Sequence, residues 1–144
     1  MPSPPGSGND LPRPDSTYVI GGHDNSGLVF TAHGDNVRLN SYEQNQKNQE
    51  WLCCLGPEGF GFVNKETGKY LSLNDDYGVN DWANEQGKWE SFIFQPLETG
   101  GFTMIVLYGK CYNYYLEQAD TGENYVRAQY DLRKASWPVG LYRV

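Results

Sequence analysis

Few side chains in this sequence have the types and spacing that metal binding requires. The two histidines, His23 and His33, lie ten residues apart in turn segments, with Asp24 and Asp35 beside them. Imidazole and carboxylate groups can bind zinc together, but a zinc site needs three or four converging ligands. Solvated turn histidines explain the pattern more simply, so we predict no metal and no cofactor.

The sequence also lacks the motifs of common catalytic sites. It contains no Gly-x-Ser-x-Gly, no phosphate-binding glycine loop and no His-Glu-x-x-His. Cys53 and Cys54 have no basic neighbour that would lower a thiol pKa, and with Cys111 they make an odd number, which is a poor disulfide framework. We interpret the thiols as reduced, small buried side chains and predict a protein that is not an enzyme.

The composition of the 144 residues is typical of a small all-β domain. Seventeen glycines and 11 tyrosines accompany short β-branched and aromatic runs that alternate with Gly, Asn and Asp turns. The net charge of −7 argues against nucleic acid and anionic membrane as partners. The sequence shows no signal peptide and no apolar run that could insert into a membrane. We therefore expect a cytoplasmic protein, with non-classical secretion left open.

Residues 1–15 differ in composition from the rest of the chain. They contain five of the eight prolines and few apolar side chains. Such a composition cannot bury enough apolar surface to form a core. We predict a flexible or extended tail over residues 1–15 and a single domain over residues 16–144.

Three segments end on a tryptophan after a similar polar stretch: Asn48–Trp51, Gln86–Trp89 and Lys134–Trp137. Aromatic and β-branched runs precede each of them, and a recurrence of this length is typical of repeat architectures. The pattern predicts three units of four strands, closed around a shared core in which the tryptophans are buried.

Two local signals support particular strand pairs. A turn at Gly56–Gly59 lies between apolar runs and predicts a hairpin. Leu141–Val144 is predicted as the final strand, pairing back toward Tyr18–Ile20.

The stretch Gln46–Trp51, followed by Gly59–Leu71, resembles the Gln-x-Trp (QxW) repeat of the ricin-B-type β-trefoil lectins. It is most similar to the intracellular mushroom members of that family, and the resemblance covers roughly residues 17–144. It implies an all-β fold, a β-trefoil of three pseudo-symmetric four-strand repeats with twelve strands. It also implies that the tryptophans are core residues rather than sugar platforms, and that Gln49 bonds loop backbone.

In that family each repeat can supply an Asp, an aromatic ring from the next loop and the Asn before Gln-x-Trp. An amide or carboxylate would hold sugar hydroxyls while the ring stacks on the apolar sugar face. Applied to the first unit, the resemblance implies a carbohydrate-binding pocket formed by Asp35, Asn36, Tyr42 and Asn48. This unit departs from the family where Phe30 or Thr31 stands in place of the ligand Asp.

The other two units depart further from the family pattern. In the second, Ser72 stands in place of the Asp and Gln86 in place of the Asn, with Asp75 nearby and Trp82 as the stacking ring. In the third, Glu117 offers a longer acid, Tyr130 or Tyr125 could stack, and Lys134 replaces the Asn. The pocket around Glu117 and Tyr130 ranks second after that of the first unit.

The resemblance leaves three functions open. The first is a lectin that binds a neutral mono- or oligosaccharide or glycoconjugate through shallow loop pockets. The second is a lectin-like protein-interaction subunit that has lost sugar binding, as is known beside mushroom tyrosinase. The third is a β-trefoil protease inhibitor.

Overall fold

The computed structural model describes residues 4, 6–23, 26–34, 36–73, 79–108, 112–118, 126–129 and 137–144, which form twelve β-strands and two 3₁₀ turns. The first unit comprises β1 (Thr17–Gly22), β2 (Leu28–His33), β3 (Asn36–Ser41) and β4 (Trp51–Gly56). The second comprises β5 (Gly59–Asn64), β6 (Tyr70–Leu73), β7 (Val79–Ala83) and β8 (Phe92–Pro96). The third comprises β9 (Phe102–Tyr108), β10 (Tyr112–Gln118), β11 (Val126–Gln129) and β12 (Val139–Arg143).

Six of these strands close into a barrel. Each pairs antiparallel with two others, in the cyclic order β1–β4–β5–β8–β9–β12. The remaining strands form the hairpins β2–β3, β6–β7 and β10–β11. A six-stranded barrel with three hairpins is a β-trefoil, so the predicted fold class is confirmed. The hairpin at Gly56–Gly59 and the pairing of β12 with β1 are confirmed as well.

The strand that closes each unit begins at an equivalent position of the barrel. The first residue of each closing strand (β4, β8 or β12) pairs with the first strand of the following unit, and it does so at the same position each time. These pairs are Trp51–Asn64, Phe92–Val106 and Val139–Gly22. Each of these first residues also pairs with the first strand of its own unit, again at equivalent positions. These pairs are Tyr18–Trp51, Phe60–Phe92 and Phe102–Val139. The structural counterparts of Trp51 are therefore Phe92 and Val139.

This register corrects the predicted equivalence of the three tryptophans. Trp51 is fully buried at the start of β4, where its Nε1 donates to the Phe30 carbonyl at 3.1 Å. Trp89 lies in a 3₁₀ turn, three residues before Phe92, and Trp137 lies two residues before Val139. Both are half-buried and pack against the core from the side. The aligned Gln-x-Trp spacing fails because the 3₁₀ turn before β8 places Trp89 ahead of that strand, and Trp137 likewise precedes the start of β12.

Residues 6–15, which we call the strap, lie against the barrel. Gly8 and Asp10 exchange backbone hydrogen bonds with Leu141 of β12 at 3.1 and 3.3 Å, and Asp15 N–H donates to the Cys53 carbonyl at 2.8 Å. The Tyr18 hydroxyl donates to the Leu11 carbonyl at 2.9 Å. These contacts attach the strap to two of the closing strands, β12 and β4.

Candidate functional site

The loop between β3 and β4 is held by one buried amide. Gln49 is 3% exposed, and its Oε1 accepts from the Glu43 N–H at 2.9 Å. Its Nε2 donates to the Ser41 carbonyl at 3.0 Å and to the Thr31 hydroxyl at 3.2 Å. A carboxamide can satisfy both kinds of partner at once because it has donors and an acceptor. The prediction that Gln49 bonds loop backbone is confirmed.

The Asn48 side chain connects this loop to the tip of the β2–β3 hairpin. Its Nδ2 donates to the Ala32 carbonyl at 3.3 Å, and its own backbone carbonyl accepts from Asn64 Nδ2 at 2.9 Å. Asn48 is half-buried. The Asn48 amide is thus held at the rim of the hairpin through its Nδ2 donor. The neighbouring residue, Gln49, holds the loop backbone in place.

The other first-unit residues fall partly on the same rim. Asn36 is exposed at the start of β3, and its Oδ1 accepts from Asn80 Nδ2 of the second unit at 3.4 Å. Asp35 lies outside the described residues. His33 is exposed at the end of β2, opposite Asn36 and next to Ala32. The sequence predicted His33 only as a solvated turn residue, whereas the structure places it at the end of β2, one residue after Ala32, whose carbonyl binds Asn48.

Tyr42 does not fit the predicted stacking role. It is 8% exposed and packs in a small cluster with Val19, Val29 and Tyr142, apart from the main core. Burial raises the pKa of its phenol, and the negative charge of Glu50 raises it further. A ring that already packs against apolar side chains on its accessible faces has little surface to offer a sugar.

The place of the missing acid in the first unit is filled by structural residues. Phe30 is fully buried, and its ring stacks parallel to that of Trp137 at a centroid distance of 6.1 Å. Thr31 is 3% exposed and donates to the Val29 carbonyl. Neither side chain reaches solvent, so neither replaces the ligand Asp.

The second-unit residues are used in other contacts. Ser72 is 1% exposed, and its hydroxyl hydrogen-bonds the Glu90 carboxylate. Gln86 Nε2 donates to the Gly59 carbonyl at 3.1 Å and to the Ser91 hydroxyl at 3.2 Å. The amide of Gln86 therefore fastens its loop to β5 and does not occupy the place that Asn48 has in the first unit.

The remaining predicted residues are placed only in part. Trp82 belongs to β7 and Glu117 to β10, where Glu117 lies opposite Arg127 in the strand register. Asp75 and Tyr130 lie outside the described residues, as do Tyr125 and Lys134.

Metal and thiol chemistry find little support within the described residues. No group of three or more His, Cys, Asp and Glu side chains among them is arranged to hold a metal ion. His23 Nε2 lies 3.0 Å from the Ser7 carbonyl of the strap.

Burial raises the pKa of the Cys53 thiol to about 12, with smaller contributions from Cys54 and Asp15. A thiol with such a pKa is almost entirely protonated at neutral pH and is a poor nucleophile.

In the described part of the chain, no helix has the length and apolar character to cross a membrane.

Comparison with known proteins identifies the fold. The sequence matches no protein-family model and no curated protein. A ricin B-like lectin from Macrolepiota procera, solved in complex with lactose, superposes with a TM-score of 0.73 at 17% identity, over 94% of this chain and 100% of the lectin. The designed three-fold symmetric protein ThreeFoil gives a TM-score of 0.72 at 17% identity, over 89% of this chain and 99% of its own.

A third structure is the β-trefoil lectin of the Vibrio vulnificus hemolysin/cytolysin with N-acetyl-D-lactosamine bound. It gives a TM-score of 0.65 at 17% identity, over 90% of this chain and 96% of that chain. At such identities the similarity establishes the shared β-trefoil fold.

Proposed function

We propose that this protein is a non-catalytic, lectin-like protein that binds a neutral sugar at the tip of the β2–β3 hairpin. The binding groups are the amides of Asn36 and Asn48, with Asp35 as a further ligand and His33 as the adjoining ring. The observation that carries the proposal is the Asn48 side chain, whose donor is fixed on the Ala32 carbonyl at 3.3 Å. An amide held in this way has an acceptor oxygen left for a sugar hydroxyl.

The fold supports this proposal, because similar trefoils were solved with lactose or N-acetyl-D-lactosamine bound. We expect a shallow site at the hairpin tip, because Asn36 and His33 are exposed there, so a single site should bind weakly, with a Kd on the order of 1 mM. Asp75, Trp82, Glu117 and Tyr130 stay predictions for further pockets, through which multivalent binding would gain avidity. The cytoplasmic location and the domain boundary between residues 15 and 16 also stay predictions.

A glycan array with three proteins tests the proposal: the unmodified chain, Asn48→Ala and Asn40→Ala. Asn48→Ala should weaken binding about tenfold, which corresponds to one lost hydrogen bond of about 1.4 kcal/mol. Asn40→Ala is the matched control, because Asn40 is an exposed asparagine on the same face of β3 but lies four residues from Asn36, away from the hairpin tip and opposite Val29. Its binding should equal that of the unmodified chain. A blank array at high protein concentration, with all three proteins folded, would contradict the lectin function.

The second candidate is a protein-interaction subunit. It is favoured by apolar side chains that stay exposed near β8: Leu55 is 62% exposed and Ile93 is 38% exposed. A blank array together with a protein partner that binds at these residues would support this function instead.

A further inference from the structure

The third residue of each closing strand occupies an equivalent place in the barrel. These residues are Cys53 in β4, Phe94 in β8 and Leu141 in β12. Each lies opposite a residue of the following strand in the same register, in the pairs Cys53–Phe62, Phe94–Met104 and Leu141–Ile20. Because antiparallel pairs alternate along a strand, equivalent residues direct their N–H and C=O to the same side.

At two of the three places, an extended segment of the chain occupies that outer side. Cys53 N–H donates to the Ser16 carbonyl at 2.8 Å and its carbonyl accepts from Asp15 N–H at 2.8 Å. Leu141 N–H donates to the Gly8 carbonyl at 3.1 Å and its carbonyl accepts from Asp10 N–H at 3.3 Å. The strap and the adjoining Ser16 thus complete both edges, and at β12 the strap pairs through an isolated parallel bridge between Asn9 and Leu141.

The third place, at Phe94, is not completed in this way. Its counterpart across the barrel would be Glu58, but in the described part of the chain no backbone hydrogen bond joins these two residues. The reason is the turn at Gly56–Gly59, which leads the chain back toward β4. Ile93, Gln95 and Glu58 around the gap are all exposed.

The side chains around this edge suit an extended polypeptide with apolar and cationic character. Leu55 lies opposite Phe60 in the hairpin, and the Phe60 ring contacts the Phe94 ring edge to face at a centroid distance of 6.5 Å. Exposed Leu55 and half-buried Phe60 and Phe94 thus form an apolar margin beside the open backbone groups. Glu58, in the turn that faces this edge, is exposed and acidic, and the whole chain carries a net charge of −7, so a cationic segment is attracted and an acidic one repelled.

We propose that the outer edge of β8 at Phe94 binds an extended, cationic segment of a partner protein by β-strand addition. The segment lies along β8 as Gly8–Asp10 lies along β12, donating one backbone N–H to the Phe94 carbonyl and accepting one from the Phe94 N–H. Main-chain hydrogen bonds provide affinity in this mode of recognition, and side chains at alternate positions provide specificity. The proposal does not depend on sugar binding, because the β2–β3 hairpin residues take no part in it.

Amide hydrogen exchange of the full chain tests the first premise. The three equivalent amides provide their own control: Cys53 and Leu141 should be protected, whereas Phe94 should exchange at least about tenfold faster because its N–H meets solvent. Equal protection of all three amides would overturn the proposal, since the edge of β8 would then already be paired.

A synthetic peptide tests the binding itself. The probe is the capped sequence of residues 6–14 with Asp10→Lys, which keeps the strap's backbone pattern and makes it cationic. We expect a Kd on the order of 1 mM, slowed exchange at the Phe94 amide and shifted amide signals from Ile93 to Gln95. The same peptide with an N-methyl group on residue 10 cannot donate to the Phe94 carbonyl and should bind at least fivefold more weakly.

A charge variant of the protein completes the test. Glu58→Lys should weaken the binding of the cationic peptide severalfold. Glu43→Lys changes the exposed loop after β3 and should leave the binding of the peptide unchanged. Signal changes elsewhere, or none at millimolar peptide, would overturn the proposal. Equal binding of the unmodified strap peptide, together with concentration-dependent dimers of the chain, would also overturn it, because the occupant would then be a second copy.

Discussion

The turns that close the first and second units have nearly the same backbone but different chemistry. Each is a single 3₁₀ turn, Lys47–Gln49 in the first unit and Lys88–Glu90 in the second, and each leads into a closing strand two residues later. The last residue of each turn reaches a hydroxyl on the second strand of its unit: Gln49 reaches Thr31 and Glu90 reaches Ser72. The amide and the carboxylate are thus alternative solutions for the same position.

The choice between the amide and the carboxylate follows how deeply each side chain is buried. Gln49 is 3% exposed and makes three hydrogen bonds, two as donor and one as acceptor. Glu90 is half-exposed, and its carboxylate accepts from Ser72 and from the Gly87 N–H at 3.0 Å. A charge is tolerated where water can still reach it and is costly where it cannot. The buried position in the first turn is therefore occupied by a neutral amide, and the half-exposed position in the second by a carboxylate.

The largest expected difference between the two units concerns their tryptophans. Trp51→Ala should lower the free energy of unfolding by about 3–5 kcal/mol, because it leaves a large cavity in a fully buried site and removes the bond to Phe30. Trp89→Ala should cost only about 1–2 kcal/mol, because that ring is half-buried at the side of the core. Urea unfolding followed by circular dichroism measures both. Equal losses would contradict the smaller role given to Trp89, since its half-buried ring would then stabilise the core as much as the fully buried ring of Trp51.

The next effect is expected from exchanging the amide and the carboxylate. Gln49→Glu replaces a donor by an acceptor that faces the Ser41 carbonyl, and it should cost about 2–3 kcal/mol at neutral pH. The loss should shrink as the pH falls below about 5, because a protonated carboxyl can donate again. Glu90→Gln should cost less than about 1 kcal/mol, since its amide oxygen still accepts. Urea titrations at pH 4 and pH 7 test the pair; a pH-independent loss in Gln49→Glu would contradict the role given to the donor.

The same two turns show what could be read from the sequence. Strand positions and the Gly56–Gly59 hairpin followed from alternation and turn residues, which depend on local chemistry. The equivalence of the three tryptophans could not be predicted in this way. A turn can place a large ring before a strand or at the start of the strand, and in either place the ring can pack against the core. The strand register and the burial of each ring, neither of which the local sequence shows, separate Trp51 from Trp89 and Trp137.

The candidate site was predictable to a smaller extent. Gln49 and Asn48 act on backbone within their own unit, so a local motif was enough to indicate their positions. Tyr42 was placed by loop position alone, and its burial depends on Tyr142 at the other end of the chain. The contact of Asn36 with Asn80 likewise joins two units. Contacts of that range have no signature in a single sequence.

The smallest expected effect concerns the third residue of the closing strands, a thiol in the first unit and an aromatic ring in the second. Burial raises the pKa of Cys53 from 9.0 to about 12, so the unfolded chain releases this proton at lower pH than the folded one. The thiol therefore stabilises the fold fully below pH 9, and this contribution is lost progressively as the pH rises from about 9 toward 12. Cys53→Ala should remove that part of the pH dependence while leaving the rest, which unfolding measured between pH 8 and pH 10 would detect. Alkylation at pH 8 should correspondingly modify half-buried Cys54 faster than buried Cys53, and the reverse order would show that β4 opens at Cys53 and exposes its thiol.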